Sequence, residues 1–216
     1  MKYRAVLFDL DGTLHDRAET VRRYLAGHLD RFELPPGYAE RWTVLDDLGY
    51  RPKREVFGRL VTEFGLSHDP RILLDDFSDH AWNDVALTAH AAEVLTELRR
   101  RGLKTGVITN GWSEKQLKCL ERLELRDLLD DVVVSETVGL RKPDPAIFRL
   151  ALNRLNVRAA EALYVGDSPV NDVWGPQQAG MQAALLPGGH PPPAHVRPDF
   201  QLNDLRGVPD IVDTDP

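Results

Sequence analysis

Two carboxylates two positions apart, Asp9 and Asp11 in the run Phe8-Asp9-Leu10-Asp11-Gly12-Thr13, follow an apolar segment and lead into a glycine turn. Later apolar segments end in the same way, with Thr109-Asn110-Gly111 after one, Lys142-Pro143 after another, and Gly166-Asp167-Ser168 after a third, with Asp172 beyond it. Taken singly, each has an ordinary reading as turn or surface residues. Taken together, they gather Asp9, Asp11 and Asp167 at the mouth of any sheet the apolar segments build. Two like charges about 4 Å apart repel by about 4 kcal/mol at an effective dielectric near 20, so three such pairs cost on the order of 10 kcal/mol. Stability alone would not retain that crowding. A hard divalent cation removes it, because Mg2+ takes oxygen ligands and keeps waters and substrate phosphate oxygens in its shell. The sequence therefore predicts Mg2+, with Asp9 and Asp167 as side-chain ligands, the Asp11 carbonyl as a third ligand, and Asp172 as a ligand or an anchor behind them.

With a cation offsetting the charge of an incoming phosphate, a carboxylate can approach phosphorus, and Asp9 becomes the candidate nucleophile. Asp11, freed from the strand by Gly12, could protonate the leaving oxygen and later take a proton from the hydrolytic water. Lys142 and Thr109, with main-chain N–H groups near Asp11 and Asn110, would hold the phosphoryl oxygens, since charge stabilisation dominates phosphoryl transfer.

These residues need a scaffold, and the hydrophobic pattern supplies one. Tyr3 to Leu10 reads as a strand buried on both faces, and strands are also expected over Leu103–Ile108, Val132–Val134, Ala162–Val165 and Ala183–Leu186, with a weak edge strand near Phe200–Leu202. Helices lie between them: one bearing Val94, Leu95 and Leu98; one opening on Ser113 and Gln116 in capping-box spacing and burying Leu117, Leu120 and Leu123; one led by Asp144-Pro145; and one over Val170–Ala179, in which Pro176 is awkward. Alternation of this kind predicts an α/β fold, a Rossmann-like doubly wound parallel sheet with ligands at the strand C-terminal ends. From about Asp16 to Asp84 the pattern is helical instead, broken at Pro35-Pro36-Gly37, Pro52 and Pro70, which predicts an insert of about four helices.

Bulk composition narrows the partner. A net charge of −7 gives no basic footprint for a nucleic acid polymer or an anionic membrane, so a small phosphorylated metabolite is expected. One cysteine, Cys119, excludes an internal disulfide and reads as a buried spectator. No apolar stretch approaches the ~20 residues of a membrane span, and the first residues run into a strand instead of a signal segment, so the cytoplasm is the expected location. Oligomeric state does not follow from these residues.

The four segments Phe-Asp9-Leu-Asp11-Gly-Thr, Ile-Thr109-Asn110-Gly, Gly-Leu-Arg-Lys142-Pro-Asp-Pro and Val-Gly-Asp167-Ser-Pro-Val-Asn-Asp172 resemble, in order, the motifs of the haloacid dehalogenase (HAD) superfamily. The resemblance implies a catalytic core of residues 1–14 plus 87–216, a helical cap of the inserted type over residues 15–86, an aspartyl-phosphate intermediate and Mg2+. It also places His15 and Asp16 where the cap hinge begins, with a role in gating or leaving-group contact. Dehalogenases of the superfamily lack an acid at the Asp11 position, so a phosphatase is expected and a phosphomutase is the alternative. A signalling receiver domain or a silent binding protein is the rival from outside enzymology. Trp112 with Gln116 resembles the subgroup of nucleotide and acylneuraminate phosphatases, and Trp42, Tyr50, Arg51, Arg54 and Trp82 are candidates for substrate contact.

Overall fold

Apolar runs of the sequence become strands with almost no solvent-facing side. In the computed structural model, which describes residues 2–213, β1 (Ala5–Phe8) and β4 (Ala162–Gly166) are buried at every position. With β2 (Lys104–Thr109), β3 (Asp131–Val134), β5 (Gln182–Leu185) and β6 (Phe200–Gln201) they form one six-stranded sheet in the order β3-β2-β1-β4-β5-β6, every pair parallel. The strand order reverses direction between β1 and β4, and such a switch opens a crevice at the carboxyl edge of the sheet. Asp9 follows one of those strands and Asp167 the other.

The helices of this unit are α5 (Ala91–Arg100), α6 (Ser113–Arg122), the one-turn α7 (Ser135–Val138), α8 (Pro145–Leu155), the short α9 (Gly175–Gln178) and α10 (Val208–Asp213). Asp144 caps α8 by accepting from the Ala146 N–H at 2.9 Å, and Ile147, Phe148, Ala151, Leu152 and Leu155 are buried, as their spacing predicts. Neither α7 nor α10 is foreshadowed by the sequence pattern.

Three local expectations are corrected. The first strand stops at Phe8 because the Leu10 carbonyl collects the N–H groups of Thr13, Leu14 and His15 at 3.2, 3.0 and 2.9 Å, which bends the chain out of the sheet. The capping box at α6 does not form. Ser113 N–H donates instead to Glu136 Oε2 at 2.7 Å, Gln116 turns to Asp11, and Leu117 is 40% exposed while Cys119 takes the buried position. The helix expected over Val170–Ala179 splits into a wider π-helical turn, Pro169–Trp174, and α9, so that Pro176 falls in a first turn where its missing N–H costs nothing.

Residues Arg17–Ala86 make a second compact unit, and the chain enters and leaves it once, at 16–17 and 86–87. It holds four helices, α1 (Arg17–Phe32), α2 (Tyr38–Asp46), α3 (Lys53–Phe64) and α4 (Pro70–His80), around Trp42, Tyr38, Phe57, Leu60, Leu73 and Phe77. No helix among the described residues is long and apolar enough to cross a membrane.

Within the helical unit, Asp76 sits among polar groups on α1. Arg31 Nε and Nη2 donate to its two oxygens at 2.7 and 2.8 Å, Tyr24 OH donates at 2.9 Å and His28 Nδ1 lies at 2.7 Å. Burial alone would raise the Asp76 carboxyl, but Arg31, His28 and Tyr24 outweigh it and hold the group at about 2. Asp76→Asn should cost on the order of 2–3 kcal/mol near neutral pH, less than a fully buried pair because Arg31 keeps a 38% exposed side chain. The folded value lies below the ordinary carboxylate value of about 4, so this stabilisation is complete above that value and is lost as pH falls toward about 2. Thermal melts of both proteins across that range should therefore converge at the acid end; a gap independent of pH would deny the charge a role.

Candidate active site

Asp9 leaves β1 while still in register. Its N–H donates to the Val165 carbonyl of β4 at 2.9 Å, which fixes it beside the strand that runs into Asp167. Gly12 has φ +83, and a Cβ there would stand 2.8 Å from Asp167 Cγ. Only glycine takes that backbone conformation freely while leaving room for the carboxylate. Gly166 makes room for Asp172, since a Cβ there would lie 2.5 Å from Asp172 Cγ. As a result, carboxylate oxygens of Asp9, Asp167 and Asp172 all lie within 4.8 Å of one another.

Lys142 is drawn into this group. Its ammonium, 2% exposed, lies 2.8 Å from Asp9 Oδ1 and 2.7 Å from Asp172 Oδ1, and donates to Tyr164 OH at 3.0 Å. Tyr164 OH in turn donates to the Ile108 carbonyl at 2.9 Å. Burial would lower the pKa of Lys142, but Asp172 and Asp9 more than reverse it and keep the ammonium charged far above its ordinary range. For Asp9, burial pushes the carboxyl well up, Lys142 opposes, and Asp172 and Asp167 add to the rise. Asp167 is pushed up to about 7, by burial first and then by Asp172. The acids that converge are Asp9, Asp167 and Asp172 in place of the Asp9, Asp11 and Asp167 expected from sequence, because the Asp11 oxygens pair with His15 and Gln116; Lys142 stands between Asp9 and Asp172, yet one ammonium does not neutralise three carboxylates. An all-oxygen donor set carrying surplus negative charge fits a hard divalent cation, and among the described residues no sulfur or imidazole ligand joins it.

The remaining candidates divide by what their side chains touch. Asp172 is fully buried, with Oδ1 on Lys142 and Oδ2 accepting the Ser168 N–H at 2.9 Å. The Asp11 carboxylate pairs with two other side chains, with Oδ1 at 2.6 Å from His15 Nδ1 and Oδ2 accepting from Gln116 Nε2 at 2.9 Å. The Asn110 amide pairs with the backbone of Lys142, accepting from its N–H at 2.9 Å and donating to its carbonyl at 3.0 Å. Asn110 therefore holds the lysine loop against the end of β2. Thr109 is the last residue of that strand and is buried.

Two polar side chains that sequence reasoning did not place here are Tyr164 and Gln116. Tyr164 is one hydroxyl inside an apolar strand, and Gln116 reads locally as a cap. Among the candidates for substrate contact, Trp42 is withdrawn, since it is fully buried 5.7 Å from Phe77 and 6.4 Å from Phe57, ring to ring. Trp82 packs against the same core, whereas Tyr50 and Trp112 are exposed, Trp112 by 70%. Cys119 is buried and its thiol is pushed up by that burial, in keeping with a spectator.

The family model for haloacid dehalogenase-like hydrolases matches residues 6–186. A glyceraldehyde 3-phosphate phosphatase of Methanocaldococcus jannaschii is 32% identical, over 97% of this chain and 96% of its own. A phosphoserine phosphatase of Thermus thermophilus is 39% identical over 56% of this chain and 49% of its own. A HAD-hydrolase of Bacillus subtilis, solved bound to magnesium, superimposes with a TM-score of 0.87 at 24% identity, covering 99% of this chain and all of that one, which speaks to the fold. The chain belongs to the haloacid dehalogenase-like hydrolase family and is, within it, a phosphoric monoester hydrolase.

Proposed function

We propose that this protein is a Mg2+-dependent phosphatase of small phosphorylated metabolites that works through an aspartyl-phosphate on Asp9. One observation carries this reading: the oxygens of Asp9, Asp167 and Asp172 converge while Lys142 contacts the Asp9 oxygen. Asp9 and Asp167, with the main-chain carbonyl of Asp11, would hold Mg2+, and Asp172 supports them from behind. When bound, the cation supplies charge neutralisation for the phosphate and for the attacking carboxylate.

The chain's own residues do the rest. An Asp9 oxygen forms a bond to phosphorus as the ester P–O bond breaks, and the departing oxygen takes its proton from Asp11. Water then attacks phosphorus, gives its proton to the Asp11 carboxylate and expels Asp9, which restores both acids. Lys142, Thr109 and the main-chain N–H groups near Asp11 and Asn110 hold the phosphoryl oxygens, and the Asn110 side chain keeps Lys142 in place. The helical unit, inserted between Asp16 and Leu87, is assigned the part of cap and selects the substrate. Nucleotides and sugar phosphates are within the class, and the names of the relatives turn attention to three-carbon phosphates such as glyceraldehyde 3-phosphate and phosphoserine.

The test is phosphate release from a panel of three-carbon phosphates, sugar phosphates and 5′-nucleotides, with Mg2+ and then with excess chelator. Release should fall at least about 100-fold on chelation and return when Mg2+ is restored. Turnover indifferent to chelation would overturn the metal assignment.

A further inference from the structure

The Asp11 carboxylate is held by two side chains from different elements. His15, fully buried, sets Nδ1 at 2.6 Å from Asp11 Oδ1; Gln116, 8% exposed, donates from Nε2 to Oδ2 at 2.9 Å. Neither contact is incidental to a loose loop. The His15 backbone is fixed on both sides, its N–H donating to the Leu10 carbonyl and its carbonyl accepting the Gly12 N–H, each at 2.9 Å, and it forms a further bridge with Leu87. Gln116 lies in the first turn and a half of α6, and it reaches back across Gly111, where a Cβ would stand 2.5 Å from Nε2. A side chain at position 111 would close the route.

We propose that His15 and Gln116 are positioning residues that aim the Asp11 carboxyl at the leaving-group oxygen. This rests on the acid–base role given to Asp11 above. Contacts on both oxygens from two separate elements fix the direction in which the carboxyl faces. An unheld aspartate samples several rotamers, and a misplacement near 1 Å in a proton-transfer step can cost about 100-fold. The effect belongs to leaving-group protonation alone. It should be large when the departing oxygen needs a proton and small when it leaves readily as an anion, whereas a merely structural role would lower both reactions together.

The experiment measures kcat/KM with Mg2+ for phenyl phosphate and p-nitrophenyl phosphate, which share a shape and differ in leaving ability. Asp11→Asn sets the reference and should lose at least about tenfold more on phenyl phosphate than on p-nitrophenyl phosphate. Gln116→Leu and His15→Leu should show the same bias, about fivefold or more, and His15→Asn, whose amide nitrogen falls where Nδ1 sits, should recover most of the loss. Thermal melts identify folded variants, and Gln116→Met decides should His15→Leu or Gln116→Leu misfold. Equal losses on the two esters in folded Gln116 variants, beside a biased Asp11→Asn, would overturn the positioning role. An unbiased Asp11→Asn would instead overturn the acid role of Asp11 and the positioning role with it.

Discussion

Asp9→Asn is expected to abolish phosphate release, by roughly 10^4-fold or more, while leaving the protein folded and no less stable. The loss follows from chemistry: an amide oxygen carries no full negative charge to direct at phosphorus. Of the two acids beside Asp9, Asp172 has both oxygens committed, to Lys142 and to the Ser168 N–H, and Asp167 is assigned to the cation. Retained stability follows from electrostatics. Burial, together with Asp172 and Asp167, drives the Asp9 carboxyl well above its ordinary range despite Lys142, so the folded chain carries the Asp9 charge at a cost. An isosteric neutral side chain removes that cost, and sites strained for function commonly gain stability when they lose it. In the presence of chelator the melting temperature should hold or rise, at about 2–4 °C per kcal/mol for a chain of this size. Phosphate release by the variant within about tenfold of the original would remove Asp9 as the nucleophile.

The sheet, its helices and the gathering of acids at its edge were legible in the sequence for a common reason. A parallel strand buried on both faces must be apolar throughout, so each strand end stands out as the place where polarity returns, at Asp9, at Asn110 and at Asp167. What could not be read was which way the polar side chains turn once assembled. Ser113 and Gln116 have the spacing of a capping box, and local physics favours one; the assembled fold offers Glu136 to the Ser113 N–H and Asp11 to Gln116, and both depart from local pairing. The Asn110 side chain matches the paired donor and acceptor of the Lys142 backbone, a match that depends on two segments far apart in the chain and leaves the expected main-chain N–H contact to phosphate untouched. Tyr164 gave no signal at all, because a tyrosine in an apolar strand reads as bulk until its hydroxyl is seen against Lys142 and the Ile108 carbonyl.

Lys142→Met should be the second most damaging single change, and its signature is a protein that leans harder on its cation. The ammonium is 2% exposed and meets Asp9, Asp172 and the Tyr164 hydroxyl at hydrogen-bond distance. Methionine keeps much of the bulk but leaves two buried carboxylates facing each other without a compensating charge. Breaking a buried pair by removing one partner costs about 3–5 kcal/mol, so with chelator present the variant should melt well below the original chain. Turnover should fall about 100- to 1,000-fold, since a buried charge aimed at transferring phosphoryl oxygens acts where water does not screen it. Adding Mg2+ then separates this account from simple loss of packing. A ligand that binds only the folded state stabilises it by an amount that grows with the logarithm of its concentration relative to its dissociation constant, and the more negative site of the variant binds a cation more tightly. The rise in melting temperature on adding Mg2+ should therefore be larger for Lys142→Met than for the original chain. Equal rises in the two proteins would mean that Lys142 and the cation do not share the work of neutralising Asp9 and Asp172.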